Sequence, residues 1–361
     1  MASQGRNPLS GQAVLRALPR AFDAKPLWAQ LNITWRCNLD CSYCTEYDNS
    51  KDHVPHDEVA RWIDKCHDLG VLHTDLIGGE PLLHPDIIRL LTRITGHGMT
   101  TGMTTNGFLL TEARLDELMA AGLGRLQISV DRARPAPGTP KSLKTLKNKI
   151  ELCAGKPIWF RVNTVVCDET LDEVEEVANF CFERNVPVNF SIVHDRGRLH
   201  RRLENARYLE KIAWLRAEKQ AGKPVGTPYF LLDYYEATLR GRPPEWTCMA
   251  GQKSFYVSPE GRFHFCFHVP AVADFASVTA ADLAGWGGPK GCERDCGVDC
   301  VIHTSMPFSR TAAVVVSESK ARLAGLASAV RRRLPILSPA GERANHTPPR
   351  PWPLACPVMV A

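Results

Sequence analysis

Residues 27–44 read LWAQLNITWRCNLDCSYC, and this stretch decides the fold because a strand pattern leads directly into a run of cysteines. Apolar and polar residues alternate through it, which predicts a β-strand over residues 27–34. Cys37, Cys41 and Cys44 follow with the spacing C-x3-C-x2-C. Three thiols at this spacing cannot all share one face of a regular helix or strand. They suit a loop that surrounds one corner of an iron–sulfur cluster, which needs soft thiolate ligands.

The chain after this loop alternates between predicted helices and predicted strands. The six predicted strands cover residues 27–34, 74–77, 98–105, 124–131, 158–166 and 187–193. The helices between them are predicted at residues 54–69, 85–94, 111–121, 142–154 and 171–184. Alternation at this spacing indicates parallel β/α units with right-handed crossovers. The sequence therefore predicts an α/β fold with six parallel strands, fewer than the eight of a closed barrel.

A second motif, Gly78-Gly79-Glu80-Pro81, follows the second predicted strand. Glycines allow another group to approach the backbone closely, and a carboxylate can pair with an ammonium group.

Together, the cysteine run, its aromatic Tyr43 and the Gly-Gly-Glu-Pro motif resemble the signature of radical S-adenosylmethionine (SAM) enzymes. The resemblance implies a partial (β/α)6 TIM-like barrel. It implies that Cys37, Cys41 and Cys44 bind a 4Fe–4S cluster whose remaining iron binds SAM. It further implies a set of SAM-binding residues: Tyr43, Gly78, Gly79, Glu80, Pro81, Asn106, Ser129 and Asn163.

The same resemblance implies an activity. An electron from a flavodoxin or ferredoxin-type donor would cleave SAM to a 5′-deoxyadenosyl radical, which abstracts hydrogen from a substrate. Our leading hypothesis is a tailoring oxidoreductase that acts on a peptide or a small natural product. Radical carbon–carbon bond formation, or adenosyl addition to a lipid or other small molecule, is an alternative. A non-enzymatic iron–sulfur electron-transfer protein is another.

Five further cysteines fall between residues 248 and 300, around a predicted hairpin. The pattern Cys248-x12-Gly-x4-Cys266 resembles the opening of a SPASM or twitch domain, a C-terminal module that carries auxiliary clusters. Five cysteines imply one second, auxiliary 4Fe–4S cluster, bound by Cys248, Cys266 and two of Cys292, Cys296 and Cys300. We favour Cys292 and Cys296. A zinc site is the alternative, because histidines lie nearby in the sequence.

We predict four segments from these patterns. They are an N-terminal extension (residues 1–26), the barrel (27–223), a SPASM/twitch-like auxiliary cluster domain (224–316), and a basic helix with a proline-rich tail (317–361). Within the barrel, Cys167 is four residues after Asn163 and so shares its strand face. Cys167 is therefore a candidate hydrogen-atom donor, with a buried apolar role as the alternative.

Composition limits the classes of function. The formal charge is +5, but seven basic and one acidic side chains lie after residue 318, so the rest is near neutral. No aromatic–basic pattern indicates nucleic-acid binding. No run of eighteen apolar residues occurs, although the basic amphipathic segments at residues 14–18 and 321–334 would allow peripheral membrane contact. Thirteen cysteines without a secretion signal predict a cytoplasmic protein with thiol or metal-bound cysteines.

Overall fold

A computed structural model describes residues 23–195, 197–199 and 205–319. Most of the predicted N-terminal extension, the predicted helix at residues 321–334 and the proline-rich tail lie outside these residues. The two basic amphipathic segments proposed for membrane contact therefore lie outside them too. No helix in the described ranges is long and apolar enough to cross a membrane.

The core of the fold is a parallel sheet whose six strands stand side by side in chain order. Its strands are β1 (Trp28–Asn32), β2 (His73–Ile77), β3 (Thr100–Thr105), β4 (Arg125–Ser129), β5 (Trp159–Val166) and β6 (Val188–Ile192). Each neighbouring pair is parallel. The six predicted strands are thus all present, with bounds within a few residues of those expected from the sequence.

Five helices connect these strands, as the alternation predicts. They are α1 (His56–Asp68), α2 (Ile87–Gly96), α3 (Glu112–Ala120), α4 (Leu143–Ala154) and α5 (Val174–Glu183), and a 3-10 turn covers Pro81–Leu83. Each helix buries one apolar stripe. On α1 the stripe includes Val59, Ile63 and Cys66, whose spacing of four and three residues places them on one face of the helix. Since the sheet provides the matching apolar surface, burial of these stripes fixes the helices on its outer side.

The remaining elements follow β6. They are β7 (His194–Asp195), β8 (Arg198–Leu199), α6 (Asn205–Gln220), α7 (Tyr229–Leu239), β9 (Ser254–Val257), β10 (Arg262–His264), β11 (Ala273–Asp274), α8 (Ala280–Gly285) and α9 (Asp299–Ser309), with 3-10 turns at Phe275–Ser277 and Glu293–Asp295. The predicted hairpin is formed by β9 and β10, which pair antiparallel.

This hairpin joins the barrel sheet. Strand β9 pairs in parallel with β1, from Trp28 opposite Ser254 to Leu31 opposite Val257. The sheet therefore has nine strands, in the order β11-β10-β9-β1-β2-β3-β4-β5-β6. The segment that carries the second group of cysteines is built directly onto the first strand of the barrel.

Candidate functional site

A cavity of about 370 Å³ lies among the strands, and eight of the residues predicted to bind the first cluster and SAM line it. They come from the loop after β1 and from the ends of β2 to β5: Cys37, Cys41, Cys44, Gly78, Gly79, Asn106, Ser129 and Asn163. Ser129 and Asn163 are direct register partners on β4 and β5. Sequence positions far apart thus converge because every strand of the parallel sheet ends at the same edge.

The glycines after β2 pack on the backbone that leads into Cys37. The amide of Gly79 donates to the Thr34 carbonyl (2.9 Å), and the Glu80 amide donates to that of Arg36 (2.8 Å). A Cβ atom on Gly79 would lie 2.5 Å from the Arg36 carbonyl oxygen. Only glycine fits this approach, so the Gly-Gly turn holds the cysteine loop in place.

Glu80 links the ends of β2 and β3. Its side chain is fully buried and accepts hydrogen bonds from the Leu82 amide (3.0 Å), the Thr105 hydroxyl (2.7 Å) and the Asn106 amide (2.7 Å). Burial raises the pKa of Glu80, while these hydrogen bonds oppose that shift. Neither Glu80 nor Pro81 lines the cavity, so their predicted contact with SAM stays a prediction.

Asn106 contacts the cysteine loop directly. Its side-chain amide donates to the side-chain oxygen Oδ1 of Asn38 (2.8 Å) and lies 3.8 Å from the Cys37 sulfur. An N–H group directed at a sulfur favours the thiolate over the thiol. Burial nevertheless raises the pKa of Cys37, and the hydrogen bond from Asn106 opposes that shift. A bound cation would reverse that balance, since metal coordination deprotonates thiols.

A lysine that the sequence motifs did not single out faces the same loop. Lys141 lines the cavity, with its ammonium 3.2 Å from Asp131 and 4.9 Å from the centre of the Tyr43 ring. The Tyr43 hydroxyl donates to Asp131. Burial raises the thiol pKa values of Cys41 and Cys44, and the nearby Lys141 charge lowers them. Tyr43 therefore contributes to a charged frame beside the cysteines and does not itself line the cavity.

These residues fit a 4Fe–4S cluster and SAM. Three converging thiols supply soft ligands for three irons, and Lys141 offsets part of their negative charge. Gly78 and Gly79 pack against the cysteine loop and also line the cavity, so a ligand there would lie against their backbone. The donor set is the one that the sequence predicts for this loop.

Farther from the cysteines lies a buried ion pair that the sequence motifs did not indicate, between Arg125, which lines the same cavity, and Asp75. Asp75 accepts from the Trp28 indole (2.8 Å) and from Arg125, and it lies 3.1 Å from His73. Burial raises the pKa of Asp75, but Arg125 and His73 outweigh it and hold the pKa below its usual value. A Cβ on Gly102 would lie 1.7 Å from an Asp75 oxygen, so glycine makes space for this ion pair.

Four of the five later cysteines surround a second, smaller cavity of about 50 Å³: Cys248, Cys266, Cys292 and Cys296. Cys300 does not line this cavity. It lies in the first one, where its thiol is 3.8 Å from the Gln30 side-chain oxygen. The geometry thus places Cys296, and not Cys300, with the group that we predicted as auxiliary ligands.

The four thiols influence one another electrostatically. Burial raises the pKa of the Cys248 thiol to about 12, and the neighbouring Cys292 contributes to this rise. Burial also raises the pKa of Cys296, and the other three thiols add to the shift. Within the described ranges, no group of three or more Cys, His, Asp or Glu side chains is already arranged to hold a metal ion. Four thiols that line one cavity have the chemistry of an iron–sulfur cluster's ligands.

Packing from α7 and the loop before β9 fixes this second cavity. The Tyr234 hydroxyl donates to the Cys296 carbonyl (2.8 Å), and the Trp246 indole donates to the Glu293 carbonyl (3.0 Å). Both aromatic side chains are buried. Their hydrogen bonds hold the chain on either side of Cys296 in one position.

Cys167, our candidate hydrogen-atom donor, does not line the cavity. The strand ends at Val166, so the alternation that places Asn163 and Val165 on the inner face stops before Cys167. Its thiol donates instead to Glu169 (3.2 Å) and lies 3.4 Å from the Thr170 hydroxyl. The geometry supports the alternative, a buried cysteine in a turn.

The close contact at Gly79 gives a testable result. Replacing Gly79 with alanine should displace the cysteine loop, because the new Cβ would lie 2.5 Å from backbone. We expect iron incorporation at this loop to fall at least severalfold, measured as iron per chain after reconstitution. Gly96→Ala is the matched control, since a Cβ there has no atom within 4 Å and alanine favours a helix. Equal iron content in both variants would refute the structural role of Gly79.

Comparison with known proteins agrees with this geometry. Residues 31–181 match the family described as the radical SAM superfamily. The chain is 26% identical over 273 residues to the AdoMet-dependent heme synthase of Methanosarcina barkeri, covering 67% of this chain and 76% of that protein. It is also 26% identical over 287 residues to the PqqA peptide cyclase of Bradyrhizobium diazoefficiens, covering 72% of each.

Two solved structures have a similar fold. Streptococcus suis SuiB bound to precursor peptide SuiA superposes with a TM-score of 0.55 at 16% identity, covering 78% of this chain and 69% of SuiB. Native anSMEcpe with bound AdoMet gives a TM-score of 0.56 at 18% identity, covering 72% of this chain and 80% of that one. The predicted partial TIM-like barrel is confirmed.

Proposed function

Because residues 31–181 match the radical SAM superfamily, we propose that the chain is an enzyme of this family that cleaves SAM reductively and abstracts hydrogen from a peptide substrate. The observation that carries this proposal is the convergence of Cys37, Cys41 and Cys44 with Gly78 and Gly79 around one cavity. Bound there, a 4Fe–4S cluster and SAM would supply an electron and a 5′-deoxyadenosyl radical.

The chain's own residues would position these groups. The Gly78–Gly79 backbone holds the cysteine loop against the end of β2. Asn106 directs an N–H group at Cys37, and Lys141 places a positive charge beside Cys41 and Cys44. Ser129 and Asn163 offer polar groups from adjacent strands of the cavity wall. We assign these residues to cluster and SAM binding.

A peptide substrate is favoured by the relatives. A PqqA peptide cyclase is similar along 72% of this chain, and SuiB, which shares the fold, was crystallised with a precursor peptide. The similarity to a heme synthase supports a second candidate, oxidation of a non-peptide small molecule. Both candidates keep the same hydrogen-abstracting site.

We further propose an auxiliary 4Fe–4S cluster held by Cys248, Cys266, Cys292 and Cys296, in a SPASM/twitch-like segment. The support is their common cavity and mutual electrostatic influence. Four protein thiolates leave no iron open, so such a cluster would transfer electrons and not bind substrate. It would accept the electron that a substrate radical loses during oxidation, with a flavodoxin or ferredoxin-type protein as the external donor to the first site.

The activity has a direct test. Anaerobically reconstituted protein, given SAM and dithionite, should release 5′-deoxyadenosine and methionine, measured by liquid chromatography with mass detection. Where a short precursor peptide is encoded beside the gene, adding that peptide should yield a product that has lost hydrogen atoms. Protein that carries its iron but releases no 5′-deoxyadenosine would contradict the proposal. SAM cleavage with peptide unchanged and a small-molecule substrate oxidised would favour the second candidate.

A further inference from the structure

Arg161 is a buried cation with an unused donor at the inner end of the main cavity. It lies on β5, is 5% exposed and lines the cavity. Its Nε donates to the Gln127 side-chain oxygen (2.6 Å), and its Nη1 has no hydrogen-bond partner among the described residues. Buried guanidinium groups are normally paired, because burying an unpaired charge is strongly unfavourable. An unpartnered buried donor on a side chain that lines a cavity therefore points to a ligand.

The nearby carboxylates already have partners. Asp75 accepts from Trp28 and Arg125. Asp299, on α9, accepts from the Tyr235 hydroxyl. Arg125 adds a second positive charge. Burial has the largest effect in lowering the pKa of Arg161, and the nearby Arg125 lowers it further. Asp75 and Asp299 act on Arg161 in the opposite direction to Arg125, but both already accept hydrogen bonds from other side chains, so the Arg161 guanidinium keeps a donor for a ligand.

A second unused polar atom lies on the same cavity wall. His303, on α9, is 3% exposed and lines the cavity, and its Nε2 has no partner among the described residues. Burial, with Arg161 and Arg125 nearby, lowers the pKa of His303 to about 3, so the imidazole is neutral. A neutral imidazole can donate one hydrogen bond from Nε2 when that nitrogen carries the proton.

From these observations we propose that the inner end of the cavity is a carboxylate-binding subsite, in which Arg161, with His303 beside it, binds a carboxylate of the substrate. The inference rests on the proposed function, since it takes this cavity as the place where the substrate binds. It narrows the substrate class to peptides or small molecules whose carboxylate lies deeper in the cavity than the position of hydrogen abstraction. The carboxylate belongs to an acidic side chain or to a chain terminus.

The position of Arg161 separates this subsite from the SAM carboxylate. Arg161 comes two residues before Asn163 on β5, about 6–7 Å farther from the carboxyl end of the strand. Its register partner Gln127 holds the guanidinium at that depth. The cysteine loop follows β1 at the carboxyl end of the strands, and the resemblance places SAM on the cluster there. A carboxylate that reaches Arg161 is therefore expected to come from the substrate.

Calorimetric titration of the anaerobic, cluster-loaded protein tests this subsite. The probes are N-acetylglutamate amide, which has only a side-chain carboxylate, N-acetylglutamine, which has only an α-carboxylate, and N-acetylglutamine amide, which has neither. At least one carboxylate probe should bind tenfold or more tightly than the neutral probe. The probe that binds identifies the source of the carboxylate. Equal binding of all three, or no binding of either carboxylate, overturns the proposal.

Variants connect the binding to Arg161. Arg161→Gln should remove the preference for carboxylate, and so should Gln127→Glu, which places an internal carboxylate next to the guanidinium. The second variant keeps the test valid if the first misfolds. Arg184→Gln is the control, because that arginine pairs with Glu151 on the surface and should leave binding unchanged. Persistence of the preference in both cavity variants overturns the proposal.

Two further measurements separate this inference from the proposed function. The carboxylate probe should still bind when SAM is present at saturation, and its displacement by SAM would show that Arg161 serves SAM, against the proposal. 5′-Deoxyadenosine formation is measured in the same preparation. SAM cleavage without a carboxylate preference overturns the subsite alone, whereas absence of SAM cleavage overturns the proposed function.

Discussion

Replacing any one of Cys37, Cys41 and Cys44 with alanine is expected to reduce 5′-deoxyadenosine formation to background. All three thiols line one cavity, and a cluster bound there with only two ligands would lose its attachment to the chain. The measurement is the yield of 5′-deoxyadenosine from SAM and dithionite, together with the visible absorbance of the cluster. We expect both signals to disappear together.

The chain provides a matched control for this experiment. Cys66 is fully buried on the core face of α1 and lines neither cavity. Cys66→Ala should therefore keep the cluster and the activity, at a cost of about 1 kcal/mol in the free energy of unfolding. Activity that survives in the loop variants, or disappears in Cys66→Ala as well, would disprove the assignment of the three ligands.

The second large effect concerns the five later cysteines. Cys248→Ala and Cys296→Ala should each lower the iron content by about four atoms per chain, because both thiols line the smaller cavity. Uncoupled cleavage of SAM should continue, since the first cysteine loop is intact, but substrate should no longer be converted to product. Iron analysis and product chromatography on the same samples measure the two effects.

Cys300→Ala is the discriminating variant. Cys300 is four residues from Cys296 but lies in the larger cavity beside Gln30, so its loss should leave the iron content unchanged. Iron loss in Cys300→Ala with retention in Cys296→Ala would reverse the assignment. Loss of zinc, with iron constant in both, would instead support the zinc alternative for the smaller cavity.

The sequence predicts the six-stranded barrel well because its signals are local. Each strand and helix has its own apolar period, and parallel crossovers allow few ways to join them. Helix α7 shows where such signals stop. Residues 229–239 lie in the segment that we assigned to the auxiliary cluster domain, where we predicted no helix, yet they form one in which Tyr229, Phe230 and Tyr234 are buried. A helix that is apolar on nearly all sides has no polar face to reveal its period.

Only part of the candidate site could be predicted from the sequence, because only some of its residues belong to local motifs. Cysteines and a Gly-Gly turn are visible in the sequence because their spacing is unusual. Arg125 and Arg161 begin as ordinary charges on strands, and only the register of β4 and β5 directs them into the cavity. Likewise, the spacing between Asn163 and Cys167 predicts a shared face, but the strand ends at Val166 and the relation does not continue.

The parallel pairing of β1 with β9 has a consequence for biosynthesis. Trp28 leaves the ribosome early, while its partner Ser254 follows more than two hundred residues later. At typical translation rates, the edge of β1 that pairs with β9 then remains unpaired for roughly 10–45 s. An unpaired edge is a template for aggregation, so this interval is where chaperone binding matters most. A gene truncated before residue 254 would leave the edge permanently open, and we expect it to yield mainly aggregated protein.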